Sequence, residues 1–285
     1  MGGTIAPDGP RPAPQGSRAH AERRLRGLLV LDFDGTLWRG NQPLEHYAAI
    51  AARGLAPAER APYLAQVQAF LDGLRWEVVG TAEPPDDGWT AVARFAEARG
   101  ATPDLLRAAF LETRERIAAG AFRLEVPAGL PEFLAWSRRW CAIALATNSP
   151  ASSVGPVIEQ LGLGHLLDDV ATGAAKPGAL VGLVEGWLGR FEASRERVMS
   201  VGDHYQNDIE PAARAGWFTA YITPWRWVPG PCSIVGTTLE EVLPGLREWV
   251  AAVVAADGPP AVDFRAGARP RRGATAGLIQ RTGAT

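Results

Sequence analysis

Two aspartates spaced two apart close an apolar run in Leu29-Val30-Leu31-Asp32-Phe33-Asp34-Gly35-Thr36. A run of Leu and Val ended by a Gly-Thr turn reads as a buried strand of a parallel sheet. If extended, Asp32 and Asp34 share one side of it, because successive side chains alternate between faces. Both acids fall at the carboxyl edge, where open α/β sheets place their ligands. Close carboxylates repel, and they persist with a cation, a shared proton or both. A second apolar run, Val198-Met199-Ser200-Val201, ends at Gly202-Asp203, with Asp208 five residues on. His204 lies between these acids and reads as an exposed or structural side chain. Lys176 is the chain's only lysine. A compact ammonium can neutralise a phosphate or carboxylate as a point charge where a planar fork would not fit. Ala142–Ala146 is a third apolar run; it ends in Thr147-Asn148-Ser149-Pro150 before a helical pattern. Free amide groups at a helix start make an anion site, and Thr147 adds a donor. Four carboxylates and one lysine, without a His or Cys cluster, suit Mg²⁺. Mg²⁺ pairs with one or two carboxylates plus phosphate, so the set has the composition of a phosphoryl-transfer site.

The elements that must position these groups alternate. Strand signals cover 28–34, 142–148, a weak 170–172, 197–203 and 218–223. Helical patterns follow near 131–137, 153–161, 180–189, 209–215 and 239–255. This rhythm predicts an α/β fold: a Rossmann-like parallel sheet of about five strands, with helices on both faces. One long interval breaks it. Residues 41–124 read as almost wholly helical, with segments at 44–52, 57–74, 89–98 and 103–119. Thr102-Pro103-Asp104 is a good helix start: a capping hydroxyl, Pro in the first turn, and an acid near the positive end of the dipole. Leu105, Leu106, Phe110, Leu111 and Ile117 then form an expected apolar stripe. An insertion of this length after the first strand predicts a small helical cap domain (41–124) hung over the aspartates. The core domain is expected to comprise 25–40 and 125–256. Residues 1–24 and 257–285 are rich in Pro, Gly and Ala with little to bury, and predict disordered tails, the second mildly basic.

Bulk properties exclude several classes. The formal charge of -2 gives no global field for nucleic acid or an anionic membrane. Two distant cysteines make no disulfide framework and fit a reducing compartment. No apolar run approaches the roughly 20 residues of a membrane helix. The N-terminal residues lack a signal-type segment. The expectation is a cytoplasmic protein with neither a nucleic-acid nor a membrane partner.

In this order, the four segments resemble the motifs of the haloacid dehalogenase-like (HAD) superfamily of hydrolases. Asp32-Phe33-Asp34-Gly35-Thr36 is similar to the first motif, Thr147 to the second, Lys176 to the third, and Gly202-Asp203 through Asn207-Asp208 to the fourth. The resemblance spans roughly 28–223, and the insertion matches the subgroup with a cap between the first and second motifs. It implies Asp32 as the nucleophile that forms an aspartyl-phosphate, and Asp34 as the general acid, then base. It implies Thr147 and its neighbours, Asn148 among them, around the phosphoryl oxygens. Lys176 would neutralise nucleophile and phosphate. The implied Mg²⁺ ligands are Asp32, the Asp34 carbonyl, Asp203 and Asp208, the last through water. Dehalogenating relatives lack the second aspartate and ion-pumping relatives carry Thr there, so Asp34 favours hydrolysis of a phosphate monoester. A small phosphorylated metabolite is then the expected partner. The alternatives are a phosphomutase of the same superfamily, or a non-catalytic binding or scaffold protein on the same fold. Trp38-Arg39-Gly40-Asn41 departs from relatives that place an acid and a Ser or Thr after the first motif's leucine.

Overall fold

The computed structural model describes residues 25–73, 85–225, 228–256, 258 and 260. Both expected tails, apart from those last residues, lie outside the described residues. Among them is one six-stranded sheet, all of its pairings parallel, in the order β3-β2-β1-β4-β5-β6. The strands are β1 (Gly27–Leu31), β2 (Cys141–Ala146), β3 (Asp169–Ala171), β4 (Val198–Gly202), β5 (Phe218–Ile222) and β6 (Ile234–Gly236). The apolar-run signal located the first five. It passed over β6, a three-residue edge strand that follows Pro and Gly residues. A strand that short carries too little pattern to register.

Alternation sorts the strand side chains into two cores. Leu29, Leu31, Ile143, Leu145, Met199 and Val201 face one way. They pack with α5 (Leu130–Ser137), α6 (Ala151–Gln160) and α9 (Leu239–Ala255). Leu28, Val30, Ala142, Ala144 and Val198 face the other, against α7 (Leu180–Phe191) and the short α8 (Glu210–Arg214). Burial on both faces is why these strands are continuously apolar.

The interval after β1 forms α1 (Gln42–Arg53), α2 (Pro57–Leu71), α3 (Gly88–Glu97) and α4 (Pro103–Ala118). They share a hydrophobic cluster of their own that includes Tyr47, Tyr63, Phe70, Val92, Phe95 and Leu106. Trp89 packs against both this cluster and the sheet's core. The Thr102 hydroxyl accepts the Leu105 N–H, as its position predicts. The stripe on α4 differs from expectation. Leu111 is exposed, while Leu106, Ala109, Thr113, Arg114 and Ile117 are buried. The helix is rotated so that a cation lies on its inner face.

Candidate active site

Strand order decides where the chemistry sits. β2 and β4 flank β1, so the chain leaves β1 in one direction and returns on its other side. Such a reversal opens a crevice at the carboxyl ends. Leu31 pairs with Leu145 on one side and Val201 on the other, and the Asp32 N–H donates to the Val201 carbonyl at 2.9 Å. Asp32, Thr147 and Asp203 therefore emerge side by side from three adjacent strands.

Carboxylate oxygens of Asp32, Asp203 and Asp208 all lie within 4.8 Å of one another. The Lys176 ammonium bridges two of them, 2.6 Å from Asp32 Oδ1 and 2.5 Å from Asp208 Oδ1. Its loop is stitched to the one after β2. Ala174 N–H donates to the Thr147 carbonyl and Gly173 N–H to that of Ser149. The Asn148 side chain completes the splint, accepting from Lys176 N–H at 2.8 Å and donating to its carbonyl at 3.0 Å. The Asn148 side-chain amide thus holds the lysine's backbone in place. The Thr147 hydroxyl accepts from Ser149 N–H at 3.0 Å, which leaves its own proton to donate.

The charges in this cluster do not balance. Burial drives Asp32 up to about 7; Lys176 opposes the shift, while Asp208 and Asp34 add to it. Burial likewise holds Asp203 well above the usual carboxylate range, reinforced by Asp32, Asp87 and Asp208. Burial alone would lower Lys176, but Asp208 and Asp32 outweigh it and the ammonium is held charged. One ammonium bridges two of three clustered acids, so it is firmly bound while the cluster remains under-compensated. An all-oxygen donor set with surplus negative charge fits a hard divalent cation such as Mg²⁺.

Two glycines let the acids approach. Gly35 has φ +80°, and a Cβ there would lie 2.0 Å from Asp203 Oδ2. At Gly202 a Cβ would meet the Asp208 carboxyl group at 2.5 Å or less. Gly35→Ala is expected to displace Asp203, weaken Mg²⁺ binding at least about tenfold and lower turnover on the order of 10²-fold. Mg²⁺ titration followed by calorimetry reads the first effect. Unchanged affinity would contradict the placement of Asp203 as a ligand.

The Asp34 carboxylate is engaged by other partners. Both its oxygens accept from Arg114 Nη1, at 2.8 and 3.0 Å, and Ser149 Oγ donates to Oδ2 at 2.5 Å. Arg114 Nε donates to Ser153 Oγ at 3.0 Å, and the guanidinium lies within 6 Å of the Phe33, Trp89 and Phe110 rings. The insertion is rich in Arg and Trp, and the sequence by itself does not single Arg114 out from Arg53, Arg60, Arg75 and Arg94, most of which read as ordinary surface charge. The available signal was its spacing from Leu106 and Ile117, which keeps it on the buried face. Arg75 and Trp76 lie outside the described residues. His204 is also better connected than expected. It faces Asp86 and Asp87 at 3.4 Å each, and Asp87 caps α3 through Thr90.

Comparisons with known proteins agree with this geometry at the level of fold. The HAD-hydrolase YfnB of Bacillus subtilis, solved with bound magnesium, is 20% identical over 79% of this chain and 99% of its own, with a TM-score of 0.51. A predicted phosphoglycolate phosphatase from Haemophilus somnus 129pt is 20% identical over 70% of this chain and 85% of its own, with a TM-score of 0.50. No curated protein matches the sequence. Among the described residues no helix is long and apolar enough to cross a membrane. The family model for haloacid dehalogenase-like hydrolases matches residues 27–216, and the chain belongs to that family.

Proposed function

We propose that this hydrolase cleaves a phosphate monoester in a Mg²⁺-dependent reaction through an aspartyl-phosphate on Asp32. The observation that carries the reading is the meeting of Asp32, Asp203 and Asp208 at the carboxyl edge of the sheet, with the Lys176 ammonium bridging Asp32 and Asp208. Asp32, the Asp34 carbonyl, Asp203 and Asp208 would hold the Mg²⁺. The ion, when bound, offsets the repulsion between an anionic nucleophile and an anionic phosphate.

The chain's own groups supply the rest. Lys176 holds Asp32 Oδ1, which orients the carboxylate and leaves Oδ2 to attack phosphorus. The Thr147 hydroxyl donates to a phosphoryl oxygen. Asp34 protonates the departing alcohol oxygen and then takes a proton from the water that hydrolyses the acyl-phosphate. Ser149 and Arg114 fix its carboxylate between the sheet and α4. We assign residues 41–124 as a cap domain and 25–40 with 125–256 as the core. In this reading α4 carries the cap's contribution, Arg114, into the core's reaction centre.

Turnover of p-nitrophenyl phosphate by the purified protein tests the proposal. Activity should require Mg²⁺, vanish with EDTA and return when Mg²⁺ is restored. Mg²⁺ should also raise the melting temperature, because a ligand bound to the native state alone stabilises it. A protein with no Mg²⁺-dependent turnover and no thermal shift would sink the reading.

A further inference from the structure

The reaction centre opens on a cavity of about 440 Å³ between the sheet and the helical insertion, reaching Asp34 and Asp203. Its size falls in the range of roughly 300–1,000 Å³ found for pockets that hold drug-sized ligands. Trp38, Trp89, Trp225, Leu44, Ile222 and Leu239 supply its apolar wall. The three indoles are held by other rings. Trp38 meets the edge of Phe33, Trp89 lies between Tyr47 and Phe110, and Trp225 stacks on Phe70 at 5.7 Å and 28°. Trp38 is buried in the core beneath the cavity, so the accessible flat area is that of Trp89 and Trp225, held with little rotamer entropy left to lose.

Among the described residues, the cations around the cavity face acids. Among the described residues that line it, the cations are Arg39 and Arg123. Arg39 pairs with Glu240 at 3.0 Å and approaches Glu125 at 3.9 Å. Arg123 faces Glu125 at 3.5 Å and is largely exposed, so solvent screens it. Arg114, the buried cation of the insertion, is committed to Asp34. Among the described residues that line the cavity, no buried cation stands free for a second anionic group, and the carboxylate without an ion pair is Asp203, inside the acid cluster rather than on the apolar wall.

Resting on the phosphatase reading above, we propose that the alcohol released is a bulky, uncharged group bearing a flat ring, seated against Trp89 and Trp225. Phosphate esters of small anionic or ammonium-bearing alcohols would be poor substrates. The cavity selects by apolar area, while the carboxylate cluster does the chemistry common to all esters.

The test compares 2-(2-naphthyl)ethyl phosphate with ethyl phosphate on the wild-type protein with Mg²⁺. Both release a primary alcohol, so the comparison isolates the seat. The naphthyl ester should have the higher kcat/KM by at least about 30-fold, as burial of such a ring at about 25 cal/mol per Å² gives. Phosphoglycolate and phosphocholine should rank with ethyl phosphate or below it. Trp225→Ala should shrink the naphthyl-to-ethyl ratio of kcat/KM at least about tenfold, and an unchanged ratio counts against the seat. Comparable rates for the two alkyl esters, or a preference for phosphoglycolate or phosphocholine, would overturn the proposal and leave the phosphatase reading intact. Calorimetric binding to the Asp32→Asn protein supplies a readout independent of turnover. Tighter binding of the naphthyl ester supports the seat even if no ester is hydrolysed, a result that would instead remove the phosphatase reading. Equal binding of both esters counts against the seat.

Discussion

Asp32→Asn is expected to lower kcat by about 10⁴-fold or more while leaving the fold intact. The substitution conserves shape and removes the attacking oxygen's charge. Its effect on stability should run opposite to its effect on activity. In the metal-free protein, burial raises Asp32 from 3.8 to about 7, against the opposing pull of Lys176. A carboxyl group whose native pKa is raised contributes stability below pH 3.8 that is lost as pH rises through about 7. The metal-free wild type should therefore lose melting temperature across that window relative to Asp32→Asn. At neutral pH the variant should be at least as stable. Added Mg²⁺ should narrow the gap by compensating the wild-type charge. Steady-state rates together with paired melts from pH 4 to 8 check both halves. Turnover above about 1% of wild type would remove Asp32 from the nucleophile's place.

Lys176→Met should damage both folding and catalysis. The Lys176 side chain is 3% exposed and bridges Asp32 and Asp208. Removing one partner of a buried ionic set leaves its carboxylates without compensation, at a cost of about 3–5 kcal/mol. In a chain of this size that corresponds to a melting temperature lower by on the order of 10 °C in metal-free protein. Mg²⁺ should recover part of the stability, because it meets the same surplus charge. It should not restore turnover, since Asp32 would lack the donor that orients it; a loss on the order of 10³-fold is expected. Lys176→Arg should fare little better, because a planar fork does not replace a point charge between two acids. Denaturation melts with and without Mg²⁺, paired with rates, test this. A Lys176→Met protein that melts and turns over like wild type would show that the ammonium is dispensable.

Part of this architecture could be read along the chain. The apolar runs at 28–31, 142–146 and 198–201 had to be buried strands, and each ends within two residues of a chemistry-bearing one. Thr102-Pro103 marked the start of α4 because capping and a fixed φ act over a few bonds. The helical interval was legible from its composition, and its separate hydrophobic cluster agrees. The rotation of α4 was not legible. Leu111 looked like part of the inner stripe and faces out, while Arg114 looked like surface charge and is buried against Asp34. A helix with apolar residues on several sides does not specify which side turns inward until its neighbours are in place.

The residue order alone settled which groups could meet. Asp32, Asp34, Lys176 and Asp203 each follow a strand, and parallel strands deliver their carboxyl ends to one edge. Tertiary structure decided what each group touches there. Asn148 is spent on the Lys176 backbone, Lys176 bridges two acids, and Asp34 is engaged by an arginine 80 residues away. Those pairings depend on helix packing and strand order, which arise only when distant segments exclude water together. Local propensity acts over a turn or a strand and carries no record of them.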